Sequence, residues 1–137
     1  MALVNVRSKE NLTQQITAGK NTILADEPIS AGGNDAGFDP YSLLLASLGS
    51  CIALTLKIYA RNKGWDLQNV AIDLSHNKIH AEDCRDCETK EGKIDFIEVH
   101  LSMDGNLTNE QQIKLREIAK KCPVHRTLTS EIKIVDV

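Results

Sequence analysis

The chain has 137 residues, which is enough for one domain and too few for two of ordinary size. Hydrophobic residues make up 42% and charged residues 26%, a composition typical of a globular protein that builds its own core. The net charge is −3 and aromatic residues are only 4%, which disfavours a nucleic-acid surface built from phosphate contacts and base stacking. We therefore expect a single domain over residues 1–137, with no nucleic acid as a partner.

The N-terminal residues Met1–Arg7 lack the apolar stretch of a signal peptide. The longest apolar-rich run, Leu43–Leu56, has about 14 residues, fewer than the roughly 20 that span a bilayer. The sequence therefore predicts a cytoplasmic protein that has no membrane as a partner.

The segment Leu12–Ala25 predicts a β-hairpin, because two strand-like runs flank a turn that contains Gly19. A loop of turn-forming residues follows, from Pro28 to Gly37. The N-terminal part of the chain is thus predicted to be a hairpin followed by a loop.

A long helix is predicted from Pro40 to about Lys63, with Asp39 as its N-cap and Gly64 as its stop. The stretch Leu43–Leu54 is apolar or small on every side. A helix that is apolar all round is buried all round, so we expect this helix at the centre of the core.

Two alternating segments, Val70–Leu74 and Ile97–Met103, predict strands that each bury one face. The residues Thr108–Gln111 form a capping box for a second helix, which Pro123 ends. The C-terminal segment Glu131–Val137 predicts a final strand, although its alternation is imperfect. The resulting order, β-β-α-β-β-α-β, predicts an α+β fold.

Four cysteines lie at positions 51, 84, 87 and 122. A chain with this many apolar residues does not need a disulfide frame to fold. In a reducing compartment such cysteines are catalytic, redox-active, metal-binding or simply buried.

Cys51 lies within the predicted central helix, where a cysteine is often only a small core residue. Its neighbours Gly49 and Ser50 are poor choices for a helix interior. They leave room around the sulfur, which a purely structural role does not require, so a reactive thiol and a structural one both stay open.

Cys122 shares the apolar stripe of the second helix with Leu115, Ile118 and Ala119. If Pro123 begins a new helix, Cys122 is its N-cap, and the helix N-terminus with nearby cations would favour the thiolate. A buried structural cysteine is the alternative interpretation.

The run Asp39–Cys51, DPYSLLLASLGSC, and the later Cys-Pro-Val at Cys122 resemble the OsmC/Ohr thiol peroxidases. The order of the elements is similar as well, so the resemblance covers nearly the whole chain. It implies an α+β, OsmC-like fold assembled as an intertwined homodimer, with active sites at the subunit interface.

The resemblance also implies a chemistry for two of the cysteines, with Cys51 as the peroxidatic and Cys122 as the resolving residue. The thiolate attacks the O–O bond of an organic hydroperoxide and becomes a sulfenic acid. The second thiol condenses with it to a disulfide, which an external dithiol reduces. This reaction needs no cofactor and no metal.

The chain departs from the family pattern at two positions. The family has a Glu directly after the proline that starts the helix, where this chain has Tyr41. It also has an Arg in the hairpin turn, where this chain has Lys20, and a lysine lacks the planar fork of an arginine. We therefore carry over the two cysteines alone, and take Tyr41, Lys20 and Arg126 as candidates for the substrate pocket.

A polar connection between the two predicted strands contains His80, Cys84 and Cys87, and it is extra to the peroxidase core. These residues are a half-site for zinc, a second redox pair or unreactive. A single Cys-x-x-Cys supplies only two of the four ligands of a structural zinc site, so we assign no metal ion to it.

We expect a cysteine-dependent peroxidase or related thiol oxidoreductase. The alternative is a binding protein on the same scaffold that holds an apolar ligand and senses oxidation, an interpretation that Tyr41 favours. A third interpretation is a metal-dependent structural module centred on Cys84 and Cys87.

Overall fold

The computed structural model describes residues 1–137, and its contacts divide the chain into two units, Met1–Leu44 and Leu45–Val137. The units are described separately below. A single domain over residues 1–137 stays a prediction.

The first unit contains a three-stranded antiparallel sheet. Its strands are β1 (Asn5–Ser8), β2 (Gln14–Ala18) and β3 (Asn21–Ala25). The predicted hairpin is confirmed as β2 and β3, and its turn contains Gly19 in the left-handed conformation, at φ +59°. The sequence analysis missed β1, which has only four residues, all of them exposed.

The loop after β3 is organised around the buried carboxylate of Asp26. The carboxylate accepts hydrogen bonds from the Thr13 hydroxyl at 2.8 Å and from the backbone N–H groups of Glu27, Asn34 and Ala36 at 2.8, 3.2 and 3.2 Å. Burial alone would raise the pKa of Asp26, but these hydrogen bonds outweigh it and lower the pKa below its ordinary value. The charged side chain therefore fixes this loop.

The predicted long helix is confirmed as α1 (Pro40–Lys63). Asp39 precedes it and accepts a hydrogen bond from the Ser42 hydroxyl. Gly64 ends it at φ +69°, a left-handed conformation that glycine adopts without a steric penalty.

Only one face of α1 is buried within this chain. The buried side chains recur every four residues: Leu48, Ile52, Leu56 and Ala60. Leu54 and Ile58, on another face, are 62% and 53% exposed. The expectation of burial on every side is therefore wrong for the single chain, because the remaining elements cover one side of the helix.

By length and composition alone α1 could cross a membrane, since it contains an 18-residue window with a mean hydropathy of 1.8. The apolar-rich run counted in the sequence, Leu43–Leu56, is shorter than this window. The core helix of a non-membrane protein passes the same test, so the length of α1 does not by itself indicate a membrane span.

A long antiparallel hairpin follows α1, formed by β4 (Asp66–His80) and β5 (Lys93–Asn106). The two strands pair through almost their whole length, well beyond the segments that the sequence predicted. Their outer parts are rich in polar residues, so the sequence there lacks the alternation of apolar and polar residues that predicts a strand. A register shift lies between Leu67 and Asn69, opposite Gly105.

Two helices complete the second unit, α2 (Asn109–Ala119) and α3 (Pro123–Leu128). The predicted capping box is confirmed, because Thr108 and Gln111 exchange both of its hydrogen bonds. The final strand predicted at Glu131–Val137 is wrong: the segment is exposed and pairs with no strand of this chain.

Residues from α1, both long strands, α2 and α3 form the core of the second unit. Its buried members are Leu48, Ile52, Leu56, Ala60, Leu67, Leu115, Ala119 and Cys122. The fold is thus α+β, with a long central helix and a second helix, as the sequence predicted.

Candidate active site

The two free cysteines meet in the second unit. Cys51 lies in the middle of α1 and is partly exposed, whereas Cys122 directly precedes α3 and is fully buried. The backbone N–H groups of two consecutive residues, Val124 and His125, contact Cys51 Sγ and Cys122 Sγ respectively, so the two sulfurs lie near each other. The structure therefore brings together the two residues to which the sequence assigned the chemistry.

Two backbone N–H groups point at these sulfurs. The N–H of Val124 donates to Cys51 Sγ at 3.5 Å, and the N–H of His125 donates to Cys122 Sγ at 3.3 Å. Both donors belong to the first turn of α3, where N–H groups have no partner within the helix. The sequence Cys-Pro-Val-His thus supplies one donor to each sulfur, because Pro123 starts the helix directly after Cys122.

Burial raises the pKa of the Cys122 thiol above its ordinary value. The N–H of His125 lowers it in part, but the adjoining Cys51 raises it further. The expectation that a helix terminus and nearby cations favour a Cys122 thiolate is therefore wrong. Cys122 stays protonated at neutral pH and is suited to resolve an oxidised partner rather than to attack first.

Gly49 serves a packing role next to the reactive region. A Cβ at Gly49 would lie 2.7 Å from Leu74 Cδ1, so the side chain of Leu74 fills the space that the glycine leaves. The expectation that Gly49 leaves room around the Cys51 sulfur is therefore not borne out. The glycine instead allows β4 to approach α1 closely.

A cavity of about 310 Å³ lies between α1, β5, α2 and α3. It is lined by Ile52, Val99, Leu101, Arg116, Ala119, Lys120 and His125. Neither sulfur lines the cavity, but two lining residues adjoin the cysteines: Ile52 directly follows Cys51, and His125 donates its N–H to Cys122. The lining is apolar with three basic side chains and no carboxylate, so the cavity suits a largely apolar molecule with a polar or anionic group.

Arg116 and Lys120 were missed as pocket residues by the sequence analysis. They are four residues apart at the end of α2, a spacing that puts two side chains on the same face of a helix. Arg116 also donates to the carbonyl of Leu101 at 3.3 Å, which ties it to β5. The helical spacing of these basic residues was the available signal.

None of the three predicted pocket residues is among those that line this cavity. Arg126 is exposed on α3 and does not line the cavity. Lys20 lies in the turn between β2 and β3, and Tyr41 is half-exposed in the first turn of α1, both within the first unit. Their contribution to a substrate pocket stays a prediction.

The second pair of cysteines is oxidised. Cys84 and Cys87 form a disulfide in the connection between β4 and β5, with their Cα atoms 5.6 Å apart. Asp86 lies beside it, with Oδ1 3.4 Å from Cys84 Sγ. His80, the last residue of β4, lines a small cavity at the same end of the hairpin.

Known structures share this fold. The OsmC-like protein from Mycoplasma pneumoniae is 18% identical, with a TM-score of 0.72 over 93% of this chain and 86% of that chain. An organic hydroperoxide resistance protein OsmC from Legionella pneumophila is 14% identical, with a TM-score of 0.64 over 94% and 89%. The organic hydroperoxide resistance protein OhrB of Bacillus subtilis is 19% identical, with a TM-score of 0.61 over 94% and 90%.

These identities establish a shared fold and no more. No curated protein sequence matches the chain. The family model described as OsmC-like protein matches residues 32–135, which include α1, the long hairpin and both cysteines of the candidate site. On that match, and in agreement with the resemblance seen in the sequence, the chain belongs to the OsmC-like protein family.

Proposed function

We propose that the protein is a cysteine-based thiol peroxidase that reduces organic hydroperoxides, with Cys51 as the attacking and Cys122 as the resolving residue. The observation that carries this proposal is that a partly exposed thiol, Cys51, and a buried one, Cys122, accept hydrogen bonds from two consecutive N–H groups of α3. A hydroperoxide can reach Cys51, and the second thiol is already beside the product of the first step.

In the first step the Cys51 thiolate attacks the distal oxygen of ROOH, the O–O bond breaks, and RO⁻ takes up a proton to leave as an alcohol. Cys51 then carries a sulfenic acid. In the second step Cys122 gives up its proton, its sulfur bonds to that of Cys51, and water leaves. An external dithiol reduces the disulfide and is itself oxidised.

The neighbouring N–H groups and cations support this sequence of steps. The N–H of Val124 donates to Cys51 Sγ, and a hydrogen bond to the charged form favours a thiolate. Arg116 and Lys120 line the cavity and contribute positive charge to this unit, where the family's Arg–Glu pair is missing.

The substrate class is supported by two observations. Four of the seven residues that line the cavity are apolar, which fits an organic hydroperoxide better than hydrogen peroxide. The structural relatives from Legionella pneumophila and Bacillus subtilis are both described as organic hydroperoxide resistance proteins. We place the protein in the cytoplasm, where dithiol reductants are available.

The cavity also favours a second candidate function. A protein that binds an apolar molecule would have the same lining, and Tyr41 stands where the family's peroxidases have a Glu. In that case Cys51 and Cys122 would register oxidation without efficient turnover.

The two functions are distinguished by the consumption of cumene hydroperoxide with dithiothreitol as the reductant. We expect turnover by the parent protein and much slower consumption by Cys51→Ser. The control is the double variant Cys84→Ser with Cys87→Ser, which we expect to keep the parent rate. It removes two thiols, as many as Cys51→Ser with Cys122→Ser removes. Consumption by Cys51→Ser at the parent rate would contradict the peroxidase proposal and leave the binding function as the better one.

A further inference from the structure

The connection between β4 and β5, residues 81–92, is a small ordered loop. The N–H of Ala81 donates to the carbonyl of Gly92 at 2.8 Å, which closes its base. A single 3-10 turn, Ala81–Asp83, begins it, and the N–H of Cys84 donates to the carbonyl of Ala81 at 3.1 Å. We call residues 81–92 the dithiol loop.

Three groups that bind metals converge in the dithiol loop. The sulfurs of Cys84 and Cys87 and a carboxylate oxygen of Asp86 all lie within 4.8 Å of one another. Two thiolates and one carboxylate are a donor set that suits zinc, which takes four ligands in a tetrahedral arrangement. Three side chains with one water molecule complete such a site.

The charge of the dithiol loop also favours a cation. Its five acidic residues, Glu82, Asp83, Asp86, Glu88 and Glu91, outnumber its two basic residues, Arg85 and Lys90. Negative neighbours raise the free energy of free thiolates, and a divalent cation removes that repulsion. Thiolates in this loop are therefore more stable with a bound metal than without one.

The disulfide is suited to reversible reduction rather than to stabilising the fold. It links residues only three apart, and a short loop gains little chain-entropy stabilisation from a cross-link. Both cysteines are partly exposed, so a dithiol can reach them. In a reducing compartment such a disulfide is more often transient than structural.

The dithiol loop lies far from the Cys51–Cys122 pair. Leu74 packs at Gly49, two positions before Cys51, and His80 at the end of β4 lies six positions after Leu74. At about 3.3 Å per residue, that segment is about 20 Å long. The two thiol pairs of one chain therefore cannot exchange disulfides directly, and the loop needs a role of its own.

We propose that the dithiol loop is a redox-gated binding site for a thiophilic divalent cation such as Zn²⁺. In the reduced form Cys84, Cys87 and Asp86 bind the metal, and two protons leave as the thiols become thiolates. In the oxidised form the same two sulfurs are bonded to each other and cannot act as ligands.

An organic hydroperoxide oxidises the metal-bound form in a two-electron reaction. The two thiolates give two electrons to ROOH and form the disulfide, while two protons and the O–O bond yield ROH and water. The metal ion is released unchanged. An external dithiol reverses the oxidation, and the loop can then bind a metal again.

The test is a titration of the full-length protein with Co²⁺, after reduction and removal of the reductant without oxygen. We expect one Co²⁺ per chain at this site, with the thiolate-to-cobalt absorption band. The band should disappear in Cys84→Ser with Cys87→Ser and persist in Cys51→Ser with Cys122→Ser. Failure of the reduced parent protein to bind Co²⁺, or binding that survives the loss of Cys84 and Cys87, would overturn the proposal.

Two further measurements test the ligand set and the gating. Asp86→Asn should weaken Co²⁺ binding by about tenfold or more, whereas Glu88→Gln, in the same loop, should leave it within about twofold. In Cys51→Ser with Cys122→Ser, where only the loop thiols remain, one equivalent of cumene hydroperoxide should release the metal. An oxidised loop that still binds Co²⁺, or equal effects of the two loop variants, would contradict the site as described.

Circular dichroism of each variant checks that the fold is intact before its metal binding is compared. Because the loop is distant from Cys51, failure of this proposal would leave the proposed peroxidase function standing.

Discussion

At the scale of single residues, Cys51 and Cys122 differ chiefly in their access to water. Cys51 is partly exposed, whereas Cys122 is fully buried and its pKa is raised, first by that burial and then by Cys51 itself. A nucleophile has to meet its substrate, and a resolving thiol has only to meet the nucleophile. The two environments therefore match the two proposed roles.

Iodoacetamide should modify Cys51 well before Cys122 in the reduced native protein, because alkylation needs an accessible thiolate. Peptide mass spectrometry of samples quenched over time measures the two rates. In urea, where both thiols are exposed, the rates should become similar. Faster labelling of Cys122 in the native protein would contradict the assigned roles.

The raised pKa of Cys122 makes the stability of the protein depend on alkaline pH. Below pH 9.0, the ordinary pKa of a cysteine, the protonated thiol makes its full contribution to the free energy of unfolding. This contribution is lost as the pH rises from 9.0 through the raised pKa of the folded protein. We therefore expect the free energy of unfolding to fall above about pH 9 more steeply in the parent than in Cys122→Ser. Urea unfolding at pH 7.5 and pH 10 measures the difference, and equal slopes would contradict the direction of the shift.

Which residues carry the chemistry could be predicted, but their electrostatics could not. The run before Cys51 and the Cys-Pro-Val at Cys122 pointed to both cysteines. The raised pKa depends on complete burial, which a helix N-terminus in the sequence does not reveal. The basic lining from Arg116 and Lys120 depends on how α2 faces β5, a tertiary relation that helical spacing only suggests.

At the scale of elements, the long hairpin depends on one glycine. Gly105 has φ +149° and lies opposite the register shift, where a Cβ would be 1.9 Å from the backbone oxygen of Asp66. No rotamer relieves a clash between a Cβ and a backbone atom. The glycine is therefore required by the path of β5.

Gly105→Ala should lower the free energy of unfolding by about 3 kcal/mol or more, because it combines an unfavourable φ with a backbone clash. Gly92→Ala is the matched control at the other end of the hairpin. It also has a positive φ, of +80°, but its Cβ would have no neighbour within 4 Å, so we expect a loss of about 1 kcal/mol. Chemical denaturation compares the two variants, and equal losses would contradict the argument from the close approach.

Elements with local signals were predicted most accurately. The bounds of α1 followed from Asp39-Pro40 and Gly64, and the start of α2 followed from its capping box. The strands were predicted too short because pairing continues through their polar ends, and β1 has no apolar pattern. The predicted strand Glu131–Val137 has β-forming residues, but a strand also needs a partner, which this chain does not provide.

At the scale of the whole molecule, α1 exposes apolar side chains that a stable chain usually covers. Leu54 and Ile58 lie four residues apart on the same face and are more than half exposed. The intertwined homodimer implied by the resemblance would cover this face, and we keep it as a prediction. The family and the α+β fold could be predicted because the motifs extend over the chain, whereas assembly depends on surfaces that the sequence does not locate.

Sedimentation velocity at micromolar concentration should show a dimer of the parent protein. Leu54→Glu with Ile58→Glu places two charges on the exposed face of α1 and should shift the protein toward a monomer. Asn109→Glu with Gln112→Glu adds the same charge at exposed positions of α2 and should leave the dimer intact. A stable monomer of the parent protein at this concentration would rule out the predicted assembly.

The central claim is that Cys51 and Cys122 act as one redox pair, and the disulfide map after oxidation tests it most directly. The reduced parent protein is treated with one equivalent of cumene hydroperoxide, digested without reduction and analysed by mass spectrometry. We expect a peptide in which Cys51 and Cys122 of one chain are joined, and in Cys122→Ser a sulfenic acid at Cys51 that dimedone traps. Two outcomes would contradict this pairing. In the first, both cysteines of the oxidised parent protein remain free thiols. In the second, dimedone labels Cys122 in Cys51→Ser but does not label Cys51 in Cys122→Ser.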